Sequence, residues 1–452
     1  MANKQKTVFS CQSCGTIFPK WVGRCTGCGE WDTVIEEMSE PRDPKERSFS
    51  SGSSPLPASK IETTDKKRIA TCFSEFNHIL GGGIVPGAVM LVGGDPGIGK
   101  STLLLQISQS LARTSGQVLY VSGEESALQI KLRAERLNTL HDNLLIYIEN
   151  DMSRIIDQVE KIKPALVVID SIQTVFLPEL PTAAGSVGQV RECALKLTHC
   201  AKTLHIPVFL IGHVTKDGTI AGPRVLEHMV DTVLYFEGDR NNIHRIVRVI
   251  KNRYGAANEI AIFEMKTEGL AEVLNPSEIF LSERSERQPG SVVAAAMEGT
   301  RPLLVEVQAL ASRMTFGYPQ RTSTGMDQKR LALLCAVLER VADYPLSSYD
   351  VFLNIAGGLR LDEPAIDLAA ACAVVSSFLN KPIDRKACII GEIGLGGEVR
   401  SISFCEQRIR EAQKLGFNSI FIPWNNAQKI AKNPTITVTG VRTVAETISA
   451  LF

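Results

Sequence analysis

Short runs of apolar residues alternate with segments of helical periodicity through the middle of the chain. The runs have the length and the Val, Ile and Leu content of buried strands, and most of the stretches between them have the spacing of amphipathic helices. Continuous apolar strands separated by helices indicate a parallel sheet covered on both faces, which is an α/β fold. After residue 231 the pattern becomes rich in strands and predicts an antiparallel extension of that sheet. The strands predicted before this point are 88–94, 117–122, 144–149, 165–171 and 207–213, with a helix at 101–113.

Two breaks in composition divide the chain. Residues 36–60 carry Ser, Pro and charge with little apolar content, and residues 282–290 read SERSERQPG. The segment after the second break mixes strands and helices without a fixed repeat, as in an α+β domain. The predicted segments are a small cysteine-rich module at 8–31, a flexible linker at 32–60, an α/β domain at 61–281 and an α+β domain at 291–452.

Composition restricts the class of protein further. The chain has 452 residues, of which 44% are hydrophobic and 22% charged, and this ordinary globular usage excludes collagen-like, coiled-coil and wholly disordered proteins. Lys and Arg together number 49 and match the 49 Asp and Glu, so any nucleic-acid site must be a local basic patch. No apolar run approaches the length of a membrane span, and the first residues lack the apolar region of a signal peptide. We therefore expect a cytoplasmic protein that does not engage a membrane.

A phosphate-binding loop lies between a predicted strand and a predicted helix. Residues 94–101 read GDPGIGKS and match G-x-x-x-x-G-K-[ST]. The glycines let backbone N–H groups converge on phosphate oxygens, and the helix N-terminus adds a partial positive charge. Lys100 is expected to reach the β and γ phosphates of ATP, and Ser101 is expected to bind Mg²⁺. The predicted nucleotide-binding residues are Gly94, Asp95, Pro96, Gly97, Ile98, Gly99, Lys100, Ser101 and Thr102.

Carboxylates follow two other predicted strands at the same edge of the sheet. Asp170 ends the run ALVVID, at the place where α/β sheets bind ligands, and can hold Mg²⁺ through water. Glu124 and Glu125 follow the strand QVLYVSG, and one of them can orient the water that attacks the γ phosphate. We favour Glu124 as the catalytic base, although the sequence alone leaves the order of the two open.

Four cysteines near the start of the chain have the spacing C-x2-C-x10-C-x2-C. CQSCG and CTGCG are knuckles in which two thiolates face one ion, and together they complete tetrahedral zinc with no open position. One structural zinc ion is therefore predicted. A redox role is the weaker alternative, because two matching CxxC knuckles are a more specific signal for zinc than one isolated CxxC is. The seven other cysteines are isolated along the chain and are expected to pack in the core. The predicted zinc ligands are Cys11, Cys14, Cys25 and Cys28.

Several motifs follow one another in a characteristic order. The cysteine module precedes GGDPGIGKST, which is followed by VSGEES, by IGHVTKDGTIAGPRVLEHMVD and by KNRYG. In this order they closely resemble the bacterial RadA (Sms) family of DNA repair proteins, and the resemblance covers essentially the whole chain. It implies a RecA-like ATPase domain at 61–281 in a ring-forming, hexameric protein that processes branched recombination intermediates. The implied partners are single-stranded and branched DNA and the recombinase RecA, and the implied output is strand exchange or branch migration.

The resemblance assigns a role to KNRYG, which matches the family motif KNRFG with Tyr in place of Phe. Because residues i and i+2 share a face of a strand, Lys251 and Arg253 can reach the ATP of a neighbouring subunit or hold DNA. A solvated basic strand end is the structural alternative. The residues of the motif are Lys251, Asn252, Arg253, Tyr254 and Gly255.

The Gly- and Pro-rich loops 178–188 and 215–224 resemble the DNA-contacting loops of RecA-like rings. They make Lys216 and Arg224 candidate contacts to DNA phosphates, with an ordinary surface loop as the alternative. His213 follows a strand where RecA-like ATPases sense the γ phosphate, and a capping or core histidine is an equal alternative.

The last domain resembles the proteolytic domain of Lon. LRLDEPAIDLAAA parallels the segment that carries the nucleophilic Ser of Lon, and GEIGLGGEVRSISFCEQRIREA parallels the segment that carries its Lys. The Ser position falls at or beside Ala365 and the Lys position near Glu406, with Arg408 two residues later. Arg cannot supply an amine of lowered pKa, so we predict a non-proteolytic scaffold for ring assembly and DNA contact.

A DNA-stimulated ATPase motor is the favoured function. An ATP-dependent, Lon-like protease is disfavoured by the missing Ser and Lys. A KaiC-like kinase or switch is disfavoured by the zinc module and KNRYG, and a non-catalytic scaffold is disfavoured by the intact phosphate loop.

Overall fold

The structure, a computed structural model, divides the chain into two compact units, Met1–Val273 and Leu274–Phe452. Within the part of the chain described, no helix has both the length and the apolarity needed to cross a bilayer. The described residues are 6–11, 17–27, 29–39, 57, 67–212, 224–237, 244–282, 284, 288–314, 317–430 and 435–452.

The first unit contains a small antiparallel sheet and a large mixed sheet. Its described elements are β1 (Lys6–Cys11), β2 (Ile17–Phe18), β3 (Val34–Ser39), α1 (Ser74–Ile79), β4 (Val89–Gly94), α2 (Lys100–Thr114), β5 (Val118–Ser122), α3 (Ala127–Arg136), β6 (Leu144–Ile148), α4 (Met152–Ile162), β7 (Leu166–Asp170), α5 (Val187–Leu204), β8 (Val208–Ile211), α6 (Arg224–Met229), β9 (Thr232–Glu237), β10 (His244–Asn252), β11 (Ile260–Lys266) and β12 (Gly269–Glu272). The small sheet has the order β2-β1-β3, and β3 pairs with β1 along its whole length. Residues 34–39 therefore belong to the cysteine module, although they fall inside the predicted linker.

The large sheet has the order β12-β11-β10-β9-β4-β8-β7-β5-β6. Strands β9, β4, β8, β7, β5 and β6 run parallel, whereas β10, β11 and β12 add in antiparallel fashion. The predicted α/β fold with its antiparallel extension is therefore confirmed. Strand β4 shows why its apolar run is continuous: Met90 and Val92 pack into one core cluster, while Val89 and Leu91 pack into a second. Successive side chains point to opposite faces, and both faces of the sheet are covered.

The second unit is built on a seven-stranded mixed sheet of the order β15-β16-β14-β13-β17-β20-β21. Its described elements are α7 (Pro276–Ser282), β13 (Ser291–Glu298), β14 (Arg301–Arg313), β15 (Arg321–Thr324), α8 (Gln328–Val341), β16 (Tyr349–Ile355), α9 (Asp367–Leu379), β17 (Ala387–Ile389), β18 (Glu392–Ile393), β19 (Val399–Arg400), α10 (Cys405–Lys414), β20 (Ser419–Pro423), α11 (Trp424–Ala427), β21 (Thr437–Val441) and α12 (Val444–Leu451). The α+β character predicted for the C-terminal domain is therefore confirmed.

The boundary between the units lies before the predicted one at 281. Helix α7 belongs to the second unit because the Ser277 hydroxyl donates to Glu411 at 3.3 Å and accepts from the Leu304 N–H at 3.1 Å. A buried serine that both donates and accepts holds its helix firmly to the neighbouring strand.

Six of the seven isolated cysteines are buried, as predicted, and Cys72 is the exception because it is exposed. Burial raises the pKa of each buried thiol, to about 12 for Cys193 and Cys388. The buried set is Cys193, Cys200, Cys335, Cys372, Cys388 and Cys405.

Candidate nucleotide site and cysteine module

The phosphate loop connects the end of β4 to the start of α2. Gly94 has φ +141°, and a Cβ there would come within 2.8 Å of the Phe236 Cβ, so only glycine fits. Gly99 has φ +122° and directly precedes the first residue of α2. Gly99 thereby places the N-terminus of α2, with the N–H groups of its first turn, directly at the end of the loop.

Lys100 lies inside this loop with 4% of its surface exposed. Its Nζ donates to the carbonyl oxygens of Gly94 at 2.7 Å and Asp95 at 2.9 Å. Desolvation lowers the pKa of Lys100 from 10.5 to about 8, although the carboxylates of Asp170, Asp95 and Glu124 act in the opposite direction. The amine is therefore held at the loop by neutral acceptors, which charged phosphate oxygens can replace with a stronger hydrogen bond.

Asp170 ends β7 beside the phosphate loop. The Tyr120 hydroxyl on β5 donates to its Oδ2 at 2.6 Å, and the Ser101 hydroxyl also hydrogen-bonds to it. Burial raises the pKa of Asp170, and these two hydrogen bonds oppose the shift. The structure therefore brings together Lys100, Ser101 and Asp170, which were predicted from separate segments. Tyr120 was not predicted, because it lies within an apolar run and nothing in the sequence separates it from the core.

Glu124 and Glu125 have different partners. The Ser171 hydroxyl, next to Asp170, donates to Glu124 Oε1 at 2.5 Å. Glu125 forms an ion pair with Arg133 on α3. Glu124 therefore faces the end of β7, whereas Glu125 is tied to the helix that follows it.

These residues fit Mg²⁺ and a nucleotide. The groups present are the buried Lys100 ammonium, the Ser101 hydroxyl beside the buried Asp170 carboxylate, and the exposed Glu124 carboxylate. Together they form the set that a metal-bound triphosphate requires. Arg245 on β10 also contacts the loop, since its Nε donates to the Ile98 carbonyl at 3.0 Å. Sequence reasoning missed Arg245, because it depends on the pairing of β10 with β9 and of β9 with β4.

KNRYG lies at the end of β10, on the side of the sheet where the parallel strands begin. The phosphate loop lies on the opposite side, where the parallel strands end. Asn252 pairs with Thr232 of β9, and Thr232 pairs with Met90 of β4, whereas the loop leaves β4 at Gly94. The motif is thus about 13 Å along the strand direction from the start of the loop in its own chain. In its own chain the motif therefore lies apart from the phosphate loop.

The two cations of KNRYG contact their own subunit. Lys251 Nζ donates to the carbonyl oxygens of Glu227 at 2.6 Å and Val230 at 2.8 Å, so it caps the end of α6. Arg253 is half exposed and lies 3.3 Å from the buried carboxylate of Asp231. Of the two, Arg253 has the side chain that solvent or a second chain can reach.

The first candidate DNA loop is organised around Gln189. Its side chain accepts from the Leu177 N–H at 2.8 Å and donates to the carbonyls of Leu177, Leu180 and Thr182. The described part of the second loop is limited to Arg224, which starts α6. His213 and Lys216 lie outside the described residues.

The cysteine module places two of its predicted ligands in one small core. Cys11 and Cys25 are both fully buried and pack with Val34. The Gly27 N–H donates to Cys25 Sγ at 3.3 Å, which is the backbone-to-sulfur bond expected when a knuckle stabilises a thiolate. This geometry fits a zinc ion held by thiolates, while Cys14 and Cys28 lie outside the described residues.

In the second unit, an ion pair occupies the segments that resemble Lon. Arg408 is fully buried, its Nε donates to the Ser403 carbonyl at 3.1 Å, and its guanidinium pairs with Glu363. Glu363 also accepts from the Met297 N–H at 2.8 Å. Ala365 is buried and Glu406 is exposed, and neither position carries the serine hydroxyl or the lysine amine of a Ser–Lys dyad.

Similarity to known proteins extends over nearly all of the chain. It is 53% identical over 450 residues to DNA repair protein RadA of Bacillus subtilis (strain 168), with 98% of each chain covered. The chain belongs to the RadA family of DNA repair proteins. Identity to the RadA proteins of Listeria monocytogenes serovar 1/2a and Streptococcus pyogenes serotype M1 is 51% and 50%, with 98% and 99% of each chain covered.

Family models match three segments of this RadA family member. An AAA domain matches residues 55–219, which include the phosphate loop, so this part of the first unit is an ATPase domain. A rubredoxin metal binding domain matches 9–36, which includes the four predicted zinc ligands and extends beyond the predicted end of the module at 31. The model for subunit ChlI of Mg-chelatase matches 322–426, which agrees with a Lon-like C-terminal domain.

Proposed function

We propose that the protein is a DNA-dependent ATPase of recombinational repair. It processes branched recombination intermediates and promotes strand exchange and branch migration together with RecA, in the cytoplasm. The observation that carries this proposal is the division of the nucleotide site: Lys100, Ser101, Asp170 and Glu124 lie at one edge of the sheet, and KNRYG lies at the other. Such a division suits a ring motor in which each subunit acts on the nucleotide of the next.

Within one subunit, each residue of the site has a separate task. Lys100 leaves the Gly94 and Asp95 carbonyls to bind the β and γ phosphates, and the Ser101 hydroxyl and Asp170 hold Mg²⁺, which neutralises charge that develops in phosphoryl transfer. Glu124 accepts a proton from the attacking water and fixes its direction. Tyr120 positions Asp170 through the hydrogen bond to Oδ2.

The neighbouring subunit contributes KNRYG in this proposal. Arg253 contacts the phosphates in trans, and Lys251 keeps the strand end in place through its bonds to α6. The assembly is a homo-oligomer, a hexameric ring, and the loops 178–188 and 215–224 hold single-stranded DNA with Lys216 and Arg224 on its phosphates. One zinc ion on Cys11, Cys14, Cys25 and Cys28 stabilises the N-terminal module.

The experiment that tests this function is ATP turnover with and without single-stranded DNA, measured together with the mass in solution. We expect DNA to stimulate turnover of an oligomer, and Lys251→Ala and Arg253→Ala to reduce branch migration more than ATP binding. Lys266→Ala, which removes an exposed cation of the same unit, is the matched control. Turnover that ignores DNA in a monomeric protein would overturn the proposal.

A further inference from the structure

The turn that follows β7 contacts the turn that follows β5 through one buried serine. Ser171 is fully buried and directly follows Asp170, and its hydroxyl donates to Glu124 Oε1 at 2.5 Å. A short hydrogen bond to a carboxylate is stronger than one between neutral groups. Glu124 itself is exposed. An exposed glutamate has several accessible rotamers, and a hydrogen bond from a buried donor favours one of them.

The serine that donates this bond is itself fixed. The N–H and the hydroxyl of Thr174 both donate to the Ser171 carbonyl, at 3.2 Å and 2.8 Å. The Ile172 N–H donates to the carbonyl of Ile211, at the end of β8, at 2.9 Å. The turn is therefore closed on itself and tied to the sheet. A buried hydroxyl held in this way directs its proton to one acceptor.

The backbone on both sides of the favoured base is fixed as well. The Gly123 N–H donates to the Asp170 carbonyl at 3.0 Å, and the Glu125 N–H donates to the Ser122 hydroxyl at 3.1 Å. A Cβ on Gly123 would lie 2.2 Å from Thr174 Oγ1, so only glycine lets the two turns approach this closely. The donor and the acceptor of the serine bond are thus held together by their backbones.

We propose that Ser171 is the positioning residue for the general base Glu124. The inference rests on the proposed function, which assigns the proton of the attacking water to this carboxylate. A carboxylate has two oxygens, and Ser171 holds Oε1, so it sets the direction in which Oε2 points towards the water. Ser171 acts through Glu124, and therefore on the chemical step rather than on the binding of ATP or Mg²⁺.

Basal ATP turnover of Ser171→Ala, measured in the full-length protein without DNA, tests this role. The value of kcat should fall about tenfold to a hundredfold, as for a lost hydrogen bond to a charged group, while ATP affinity and Mg²⁺ dependence change less than about threefold. Thr174→Ala is the matched control, because its hydroxyl belongs to the same turn but donates to the backbone. Its loss of kcat should be clearly smaller. Ser171→Thr keeps the hydroxyl and should recover most of kcat.

A double-mutant cycle shows whether the serine acts through the glutamate. In a Glu124→Gln background, the further change Ser171→Ala should lower kcat by less than about twofold. Losses that multiply in the double variant would overturn the proposal. Equal losses in Ser171→Ala and Thr174→Ala would also overturn it, because they would show that only the fold of the turn matters. A loss of Mg²⁺ binding as large as the loss of kcat would assign Ser171 to Asp170 instead.

The failure of this inference and that of the proposed function give different results. The cycle uses turnover without DNA, so coupling between Ser171 and Glu124 in a protein that DNA does not stimulate would support the positioning role and reject the proposed function. A Glu124→Gln variant with unaltered kcat would overturn the inference, because Ser171 would then have no base to position.

Discussion

Each of the two units contains a site at which related enzymes carry reactive groups. The buried cations at the two sites have different kinds of partner. At the phosphate loop, the Lys100 amine is buried against two neutral carbonyls, and Asp170 is positioned by two hydroxyls. In the Lon-like segments, Arg408 is fully buried and its charge is matched by Glu363. The first arrangement offers groups that a ligand can recruit, whereas the second satisfies its charges internally. Burial of a cation therefore does not by itself indicate a functional site. Neutral partners that a ligand can replace indicate one, whereas a carboxylate partner within the protein does not.

The largest effect is expected when the Lys100 amine, the cation that a ligand can recruit, is removed. Lys100→Ala should lower ATP turnover by at least about a thousandfold, the upper end of the loss when one donor is removed from a preorganised site. Phosphate release and ATP affinity measure this effect, with Lys161→Ala on the surface of α4 as the control. Turnover within tenfold of the unaltered chain would contradict the role of the loop.

The adjacent glutamates provide a matched pair of substitutions. Glu124→Gln should lower kcat by about a hundredfold to a thousandfold while ATP still binds, because it removes a general base. Glu125→Gln breaks an ion pair with Arg133 and should lower kcat less than about tenfold, since partly exposed pairs contribute little. If Glu125→Gln has the larger effect on kcat, the assignment of the base is wrong.

Breaking the buried pair of the second unit should affect stability and not chemistry. Arg408→Met leaves Glu363 without its partner and should reduce the free energy of unfolding by about 3 kcal/mol, as for other buried pairs that lose one member. Arg410→Met is the control on the same helix, because Arg410 is 76% exposed and pairs with Glu406 at 3.4 Å; its change should stay below about 1 kcal/mol. Urea unfolding gives both values. Equal effects of the two variants would show that the pair does not stabilise the unit.

The pH dependence of ATP affinity should be the smallest effect. Desolvation lowers the pKa of Lys100 to about 8, and only the protonated amine attracts phosphate. A rise in pH through that value removes the cation, so ATP affinity should fall in the alkaline range. In Lys100→Arg the cation persists, and this step should be missing from the profile. Affinity measured by a fluorescent ATP analogue checks both profiles, and a flat profile for the unaltered chain would contradict the lowered pKa.

Functional residues that are contiguous in the sequence could be predicted. The positions of those that depend on strand pairing and on how loops turn could not. The phosphate loop lies within residues 94–101, so its spacing defines it. The choice between Glu124 and Glu125 depends on Ser171, which is 47 residues away, and on how the loop turns toward β7. The opposite-edge position of KNRYG follows from the pairing of β10 with β9 and of β9 with β4.

The same limit applies to single side chains. Tyr120 and Arg245 resemble ordinary strand residues until Asp170 and the Ile98 carbonyl are placed beside them. The SERSERQPG segment is a clear compositional break, whereas α7, which precedes it, contacts the second unit through Ser277 and Leu281.

The deep placement of the isolated cysteines has a consequence for survival under oxidative stress. Peroxide attacks thiolates, and burial keeps Cys193 and Cys388 protonated with pKa values of about 12, while the pKa of Cys372 is raised as well. Oxidants break DNA at the moment when a repair protein is needed. Buried thiols that oxidants do not modify let the protein remain folded under the same oxidative conditions.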